Sequence, residues 1–402
     1  MIIGLDGNEA NVKNRVGSGI YAFEMLREFS QAKGLSSSGR KNHKFLIYLK
    51  DKPLPDLPKE TANFKYLVFG PKKLWTRFAL PIKLAFGPKI DIFFTLGHYS
   101  PHFSKVPYAV TIFDLSYLRY PELFKKSDLY QLTNWSKYSI QTSKHIFTIS
   151  KSSKQDIIKN YNVNPAKITV TYPGFDQKRF KLQPKGKIET IKKKYKIRGN
   201  YLIFVGTLQP RKNIERLIEA FYQVCRKIGK WDGRKLKSRP TDPQSHYPND
   251  LKLVIAGRKG WLYDSIFAKV KELGLDKEII FTDYVAEGDL PALIAGAKVY
   301  VLPSLWEGFG IPVIETQACG VPVVVSNTSS LPEIVGDSGI LVDPESVDSI
   351  AQGIIKVLTD SQTRSDLAKA GFVNIKRFSW QGCARQTLAI LEKVARMSKP
   401  IV

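Results

Sequence analysis

The sequence predicts an α/β protein built from two doubly wound parallel-sheet domains that face a central cleft, and three observations carry that expectation. The chain has 402 residues, too long for one core, since domains rarely exceed roughly 300 residues. Short apolar runs alternate with longer amphipathic ones, the pattern of strands joined by crossover helices. That pattern pauses near residue 180 and restarts at 201.

In the first half the strands are read at 1–5, 44–49, 64–69, 91–96, 108–113, 145–150 and 167–173, with helical spacing at 18–33, 122–142 and 152–160. The second half repeats the scheme with strands at 201–206, 251–257, 279–285, 299–304, 321–326 and 339–343. Helices fall between them at about 213–229, 263–273, 288–296, 312–319 and 346–358. The segment 180–200 combines Pro184, Gly186 and a dense lysine run, so it reads as a linker that also has the composition of a solvated charged helix. This places one domain at 1–185 and the second at 186–378. The amphipathic stretch 380–397 follows the last strand and needs a surface to cover, so 379–402 is set apart as a terminal helix. The polar insert 229–250 reads as an exposed loop and is given no chemistry.

Composition excludes several classes. With 43% hydrophobic and 11% aromatic residues the chain is not a disordered basic polymer. Three scattered cysteines, Cys225, Cys319 and Cys383, form neither a disulfide framework nor a zinc pattern. The start, MIIGLDGNEAN, lacks a basic segment followed by an apolar one, and no run reaches the ~18 apolar residues of a membrane span. The expectation is a cytoplasmic protein in a reducing compartment.

The stretch YVLPSLWEGFGIPVIETQACGVPVVVSN (300–327) is the most informative. A strand ends in a Pro-Ser turn, Glu307, Gly308, Phe309 and Gly310 form a compact loop, and Ile311-Pro312 open a helix carrying Glu315. Proline suits a first helical turn. Glycines admit a close ligand, and a helix N-terminus offers N–H groups and partial positive charge to a phosphate. Two carboxylates framing such a loop describe a nucleotide-sugar site. In YLIFVGTLQPRKNIERLIEAF (201–221), Gly206 ends a strand, and Arg211 and Lys212 stand where a doubly wound sheet binds its ligand. A third strand, in LKLVIAGRKGWLYD, ends in glycine followed by Arg258 and Lys259, which read either as a nucleotide lining or as a solvated loop. Near the amino terminus, Gly17 and Gly19 lie in a glycine-rich entry to a helix, suited to phosphate or close sugar approach but short of the dinucleotide fingerprint.

Together these residues resemble the retaining glycosyltransferases of family 4, which have the two-domain glycosyltransferase B fold of Rossmann-like units. In that family a glutamate, seven intervening residues and a second glutamate mark the donor site, the spacing of Glu307 and Glu315 here. The resemblance implies that Glu307 approaches the donor sugar and that Gly308, Phe309 and Gly310 hold sugar hydroxyls and phosphate, beside Ile311. It implies that Glu315 binds the ribose, and that Gly206, Arg211 and Lys212 clamp the diphosphate. Arg258, Tyr284 and Val285 would border the base, and Gly17 and Gly19 would reach across from the first domain. The final helix would cross back to the first domain. The family commonly carries His-Asp where this chain has Phe113-Asp114, so its histidine is absent. His98 and His102 stand on a neighbouring loop, and Asp114 remains a catalytic candidate that binds a hydroxyl.

The expected reaction moves a hexose from a nucleotide-diphosphate sugar to an acceptor hydroxyl with retention, in cell-envelope glycoconjugate or polysaccharide synthesis. It needs no cofactor, and no Asp-x-Asp motif calls for a metal. Two alternatives stay open: a nucleotide-sugar epimerase of the same fold, and a silent nucleotide-sugar binder in which Phe113 has removed catalysis. A nucleic-acid partner is not expected, because no helix-turn-helix, zinc finger or RNA-binding aromatic signature occurs.

The formal net charge is +26, and its placement is uneven. Residues 1–200 hold 36 Lys and Arg against 14 Asp and Glu, whereas residues 201–402 hold 26 against 22. The excess of +22 lies in the half that the resemblance assigns to the acceptor. The segment 71–84 mixes Lys72, Lys73, Arg77 and Lys83 with Leu74, Trp75, Phe78 and Leu80. It reads either as a face lying on an anionic bilayer or as a buried helix with a basic rim. The expectation is peripheral attachment to the inner face of the plasma membrane and a lipid-linked or anionic glycan acceptor.

Overall fold

The computed structural model describes residues 1–31, 43–229 and 251–398; the polar insert from 230 onward and the last residues of the terminal segment lie outside them. The chain forms two compact units, Met1–Gly174 with Phe378–Val402, and Phe175–Arg377. Both divisions differ from the boundaries read at 185/186 and 378/379. Residues 175–185 go with the second unit, where Phe175 and Phe180 are buried and Arg179 pairs with Glu287 at 2.7 Å.

The first unit holds seven parallel strands, β1 (Ile2–Asp6), β2 (Lys44–Leu49), β3 (Phe64–Val68), β4 (Ile92–Thr95), β5 (Tyr108–Ile112), β6 (His145–Thr148) and β7 (Ile168–Val170). Their order in the sheet is β3-β2-β1-β4-β5-β6-β7. Every residue of β4, β5 and β6 is buried, as expected for a parallel sheet covered on both faces. That explains why these strands read as continuous apolar runs. Its helices are α1 (Ser18–Ser30), α2 (Ala79–Phe86), α3 (Ser116–Arg119), α4 (Lys126–Thr142) and α5 (Lys151–Tyr161). The helix expected at 122–142 is α4, which begins only at Lys126, and the short α3 precedes it outside that range, ended ahead of Pro121, whose ring nitrogen lacks the N–H that would continue it.

Residues 71–84 divide between the two readings: Leu74 and Phe78 are exposed, and other apolar side chains of the segment are not. Trp75 and Leu80 are buried in a cluster with Tyr48, Phe93 and Tyr108, so they are core residues and do not face outward.

The second unit starts with α6 (Lys185–Lys194), the charged helix within the expected linker. Six parallel strands follow: β8 (Tyr201–Val205), β9 (Lys252–Ala256), β10 (Ile279–Asp283), β11 (Val299–Leu302), β12 (Val323–Ser326) and β13 (Ile340–Val342). Their order is β10-β9-β8-β11-β12-β13. The connecting helices are α7 (Ile214–Gly229), α8 (Asp264–Glu272), α9 (Leu290–Ala295), α10 (Ile311–Ala318), α11 (Leu331–Val335), α12 (Val347–Thr359) and α13 (Ser361–Asn374). α13 has no counterpart in the sequence reading, because SQTRSDLAKAGFVN shows no apolar stripe at helical spacing. Asp360 caps it, its carboxylate accepting from the N–H groups of Gln362 and Thr363.

The terminal helix α14 (Trp380–Met397) belongs to the first unit and packs on α1. Ser379 caps it by accepting from Gly382 N–H. Its apolar stripe, including Cys383, Leu388 and Leu391, is buried, and Trp380 sets its ring 5.9 Å from that of Tyr21. The docking depends on a missing side chain. A Cβ at Gly174 would lie 2.1 Å from Trp380 N and 2.5 Å from Ser379 C, backbone atoms with no freedom to yield. Gly174→Ala is therefore expected to destabilise the protein by about 2 kcal/mol and lower the melting temperature by roughly 4–8 °C. Gly186→Ala, with nothing within 4 Å of its added methyl, should be neutral or gain up to about 1 kcal/mol from helix propensity. Scanning calorimetry of both variants checks this contrast.

Candidate functional site

In a doubly wound sheet the ligand crevice opens at the carboxyl ends of the strands where the connection order reverses. In the second unit that point lies between β8 and β11, and the loops leaving these two strands carry Arg211, Lys212 and Glu307.

After β8, Pro210–Lys212 make one 3-10 turn and Asn213 takes the left-handed conformation at φ 58°. Asparagine tolerates that region, and its side-chain amide donates to Pro303 O at 2.8 Å and Pro344 O at 2.7 Å. The loop after β11 is tied to the same turn: Leu305 N–H donates to Arg211 O at 2.9 Å, and Arg211 Nη1 donates to Trp306 O at 2.6 Å. Lys212 Nζ donates to Glu307 Oε1 at 2.5 Å. Ser304 Oγ donates to the same oxygen at 2.7 Å, and Arg211 Nη1 stands 3.7 Å from Glu307 Oε2.

Glu307 is only 6% exposed, so its charge state is set by competition. Burial opposes ionisation, but the charges of Lys212 and Arg211 and the hydrogen bonds from Lys212 and Ser304 outweigh it and hold the carboxyl below the usual carboxylate range. The backbone is fixed as firmly. Glu307 N–H donates to Ser329 Oγ at 3.0 Å, and Ser330 Oγ donates to Glu307 O at 2.9 Å.

Phe309 is buried and anchors the next turn, and Gly308 is buried beside it. Gly310 caps α10 at φ 92°, a conformation that favours glycine. A Cβ there would also stand 3.0 Å from Leu331 Cδ2. Ile311 and Pro312 form the first turn, so α10 begins without a capping side chain. Glu315 lies one turn further on, half-buried. The buried Tyr300 hydroxyl is pushed far up by burial and then by the negative charges of Glu307 and Glu315.

The loops after β8 and β9 close on each other. Gly206 N–H donates to Ala256 O at 2.9 Å, Leu208 N–H to Arg258 O at 2.8 Å and Gly260 N–H to Leu208 O at 2.9 Å. A Cβ at Gly257 would fall 1.8 Å from Gly206 O, and one at Gly206 would stand 3.7 Å from Lys212 Cε. Arg258 places its guanidinium 4.2 Å from the Tyr284 ring centroid. Tyr284 is exposed and Val285 buried. Thus Gly206, Arg211, Lys212, Arg258, Glu307 and Glu315 gather around the carboxyl ends of β8, β9 and β11.

The first unit carries a separate polar group at its own reversal point, between β1 and β4. Gly17 caps α1 at φ 45° with nothing within 4 Å of an added Cβ. At Gly19 a Cβ would stand 3.1 Å from Glu9 O, so this glycine lets the preceding loop approach the helix. Asp114 Oδ1 accepts from Ser116 N–H at 2.9 Å and from Ser116 Oγ at 2.6 Å. Phe113 packs edge-on against Tyr21, ring centroids 5.2 Å apart, and its N–H donates to His98 Nε2 at 3.4 Å. Burial pushes His98 down, against the opposing charges of Asp114 and Glu9, so the imidazole is neutral with Nε2 as acceptor. His102 is directed elsewhere, stacked on Tyr138 at 4.0 Å. Sequence reasoning assigns no role to Glu9, Asn213 or Ser304. Glu9 accepts from Ser18 Oγ at 3.0 Å and lies against Gly97, with a Cβ there 3.3 Å from its Cγ. The signal for all three is position alone: each closely follows a strand that flanks a reversal point.

Residues 187–373 match the family model described as glycosyl transferases group 1, and residues 40–179 match the one described as glycosyltransferase family 4. The chain is 30% identical over 291 residues to the O-antigen chain mannosyltransferase B of Escherichia coli, covering 72% of this chain and 71% of that one. It is 27% identical over 256 residues to a serotype-specific mannosyltransferase of the same organism, covering 63% of this chain but only 29% of the relative's length. Among solved structures, Anabaena HepE in complex with UDP and glucose superposes with a TM-score of 0.71 at 19% identity, covering 98% of this chain and 99% of that one.

Replacing Glu307 with Gln removes the carboxylate that Lys212 and Arg211 share. Glu307→Gln is expected to cost about 1–3 kcal/mol at neutral pH. Because the folded carboxyl is depressed, its contribution is present above the unfolded value near 4.5 and lost as pH falls through the folded value. Denaturant titrations should show the gap between wild type and Glu307→Gln closing in that acidic range.

Proposed function

We propose, from the premise that the chain belongs to the group 1 glycosyltransferases, that it transfers a hexosyl group from a nucleotide-diphosphate sugar to an acceptor hydroxyl with retention of anomeric configuration. The observation that carries the donor assignment is the pair of cations held across the β8/β11 reversal point by one buried carboxylate.

In this reading the diphosphate binds at Arg211, Lys212 and the start of α10, the ribose at Glu315, and the base beside Arg258, Tyr284 and Val285. The bond from the anomeric carbon to the diphosphate breaks with its electron pair going to the phosphate oxygen, a bond to the acceptor oxygen forms on the same face, and the acceptor's hydroxyl proton passes to that leaving oxygen, on which negative charge grows. Cations already oriented by Glu307 meet that charge without reorganisation at the moment of reaction, the most effective form of electrostatic stabilisation. Glu307 touches the donor sugar and at the same time orients Lys212. Two carboxylates flanking the scissile bond, as in a retaining glycosidase, are not required. The positive charge the site needs is supplied by its own side chains, so the reaction proceeds without a cofactor or metal.

The acceptor is assigned to the first unit, where Asp114, Glu9 and the neutral His98 provide hydroxyl-binding groups. The likeness to two mannosyltransferases, one of O-antigen chains, favours mannosyl transfer in surface-polysaccharide synthesis, and the UDP complex of the structural neighbour favours a nucleoside diphosphate donor. Phe113 sustains one second reading, donor binding without transfer, because its ring offers no proton-transfer group.

Thermal-shift screening against GDP-, UDP-, ADP- and dTDP-sugars tests the donor site. A saturating donor at about 100 times its Kd should raise the melting temperature by roughly 5–10 °C. Arg211→Ala/Lys212→Ala should abolish both that shift and turnover while the protein stays folded. Wild-type turnover in the double variant would refute the assignment, and a product of inverted configuration by NMR would refute retention. A donor shift without hydrolysis or transfer to any acceptor would select the silent binder.

A further inference from the structure

The outward side of α2 is apolar where a surface helix is ordinarily polar. Its inward side already supplies the core through Ala79, Leu80 and Leu84, with Trp75 from the preceding turn. On the other side Leu74, Phe78, Ile82 and Phe86 recur every four residues and are 45%, 57%, 59% and 88% exposed. Phe78, Ile82 and Phe86 are four residues apart along α2 and its cap, so they stack on one side; Leu74 stands in the preceding turn, left-handed at φ 52°, its carbonyl accepting from Phe78 N–H. Phe103, also 88% exposed, extends from the neighbouring loop, where His102 feels the charge of Arg77.

The charge around the stripe is predominantly positive. Residues 61–113 contain seven Lys and Arg and a single acid, Asp91, and Asp91 is turned inward to accept from Ile2 N–H at 2.8 Å. Lys73, Lys89 and Lys105 are exposed, as is Lys72, which pairs with Asp51. A second copy of the chain would bring two basic rims together, because a two-fold interface apposes identical patches. An anionic bilayer satisfies both features at once, taking the apolar side chains at the acyl boundary and the cations at the headgroups.

We propose that this face of the first unit seats on an anionic lipid bilayer, with Leu74, Phe78, Ile82 and Phe86 inserted and the surrounding lysines on the headgroups. The anchor is interfacial, since no helix among the described residues is long and apolar enough to cross a membrane. The proposal stands independently of the donor site.

Flotation with phosphatidylcholine vesicles containing about 30 mol % phosphatidylglycerol tests it. The wild-type chain should float with these vesicles and not with pure phosphatidylcholine, and binding should weaken as salt rises from about 0.1 to 0.5 M. Phe78→Ser/Phe86→Ser should lower partitioning at least about tenfold, and Lys73→Glu/Lys89→Glu should lower it at low salt. All four side chains are exposed, so circular dichroism and melting temperature should be unchanged. Equal partitioning of wild type and the serine variant, or equal binding to neutral vesicles, would overturn the proposal. So would a lipid-free dimer, seen in sedimentation, that the serine variant dissociates.

Discussion

A buried carboxylate is tolerable only with its partners in place, and Glu307 makes that requirement the organising constraint of the second unit. Its charge is sequestered at the carboxyl end of β11, and both cations that stabilise it come from the loop after β8. Remove either side and the other is left as an uncompensated buried charge, a more costly state than never having had the pair. The two loops therefore require each other's conformation. The surrounding backbone bonds, from Leu305 to Arg211, from Arg211 to Trp306, and from Asn213 to Pro303 and Pro344, follow from the same closure. What results is a pair of cations oriented before any ligand arrives.

This local arrangement is distinct from the large excess of positive charge on the chain. The half that contains the oriented cations is nearly balanced, and the excess lies in residues 1–200. In the first unit part of that excess surrounds an apolar stripe on α2, a helix whose two sides are both apolar for different reasons. One side completes a core with Tyr48, Phe93 and Tyr108, and the other meets solvent. The cations at the carboxyl ends of β8 and β11 are thus few, half-buried and paired with one carboxylate, whereas those around α2 are more numerous and mostly exposed.

The central strands are legible in the sequence because parallel strands buried on both faces must be apolar throughout, as in β4, β5 and β6. The donor loop was legible because Pro312, Gly310 and two glutamates are chemically improbable as a plain connection. Other features are not written in any local pattern. α13 lacks an apolar stripe, and its existence depends on Asp360 as a cap and on burial of Gly371 and Asn374. Trp75 and Leu80 have the same composition as Leu74 and Phe78, and only the rotation of the helix against its neighbours decides which pair is core. Glu9 is one acidic residue in a short loop, and its meaning arises from standing beside Gly97 and Ser18, residues that the fold brings to it. Residues 175–185 look like the tail of the first half, yet Phe175 and Phe180 find their burial in the second unit.

In the proposed reading Lys212, oriented by Glu307, is held ready for a diphosphate. Isothermal titration of the full chain and of Lys212→Met with a nucleoside diphosphate measures it directly. A charge-assisted contact of this kind is worth about 2 kcal/mol, so an affinity loss of roughly 30-fold is expected in the variant, which stays folded at the assay temperature but melts lower because Glu307 has lost its near partner. Equal affinities for wild type and Lys212→Met would contradict it.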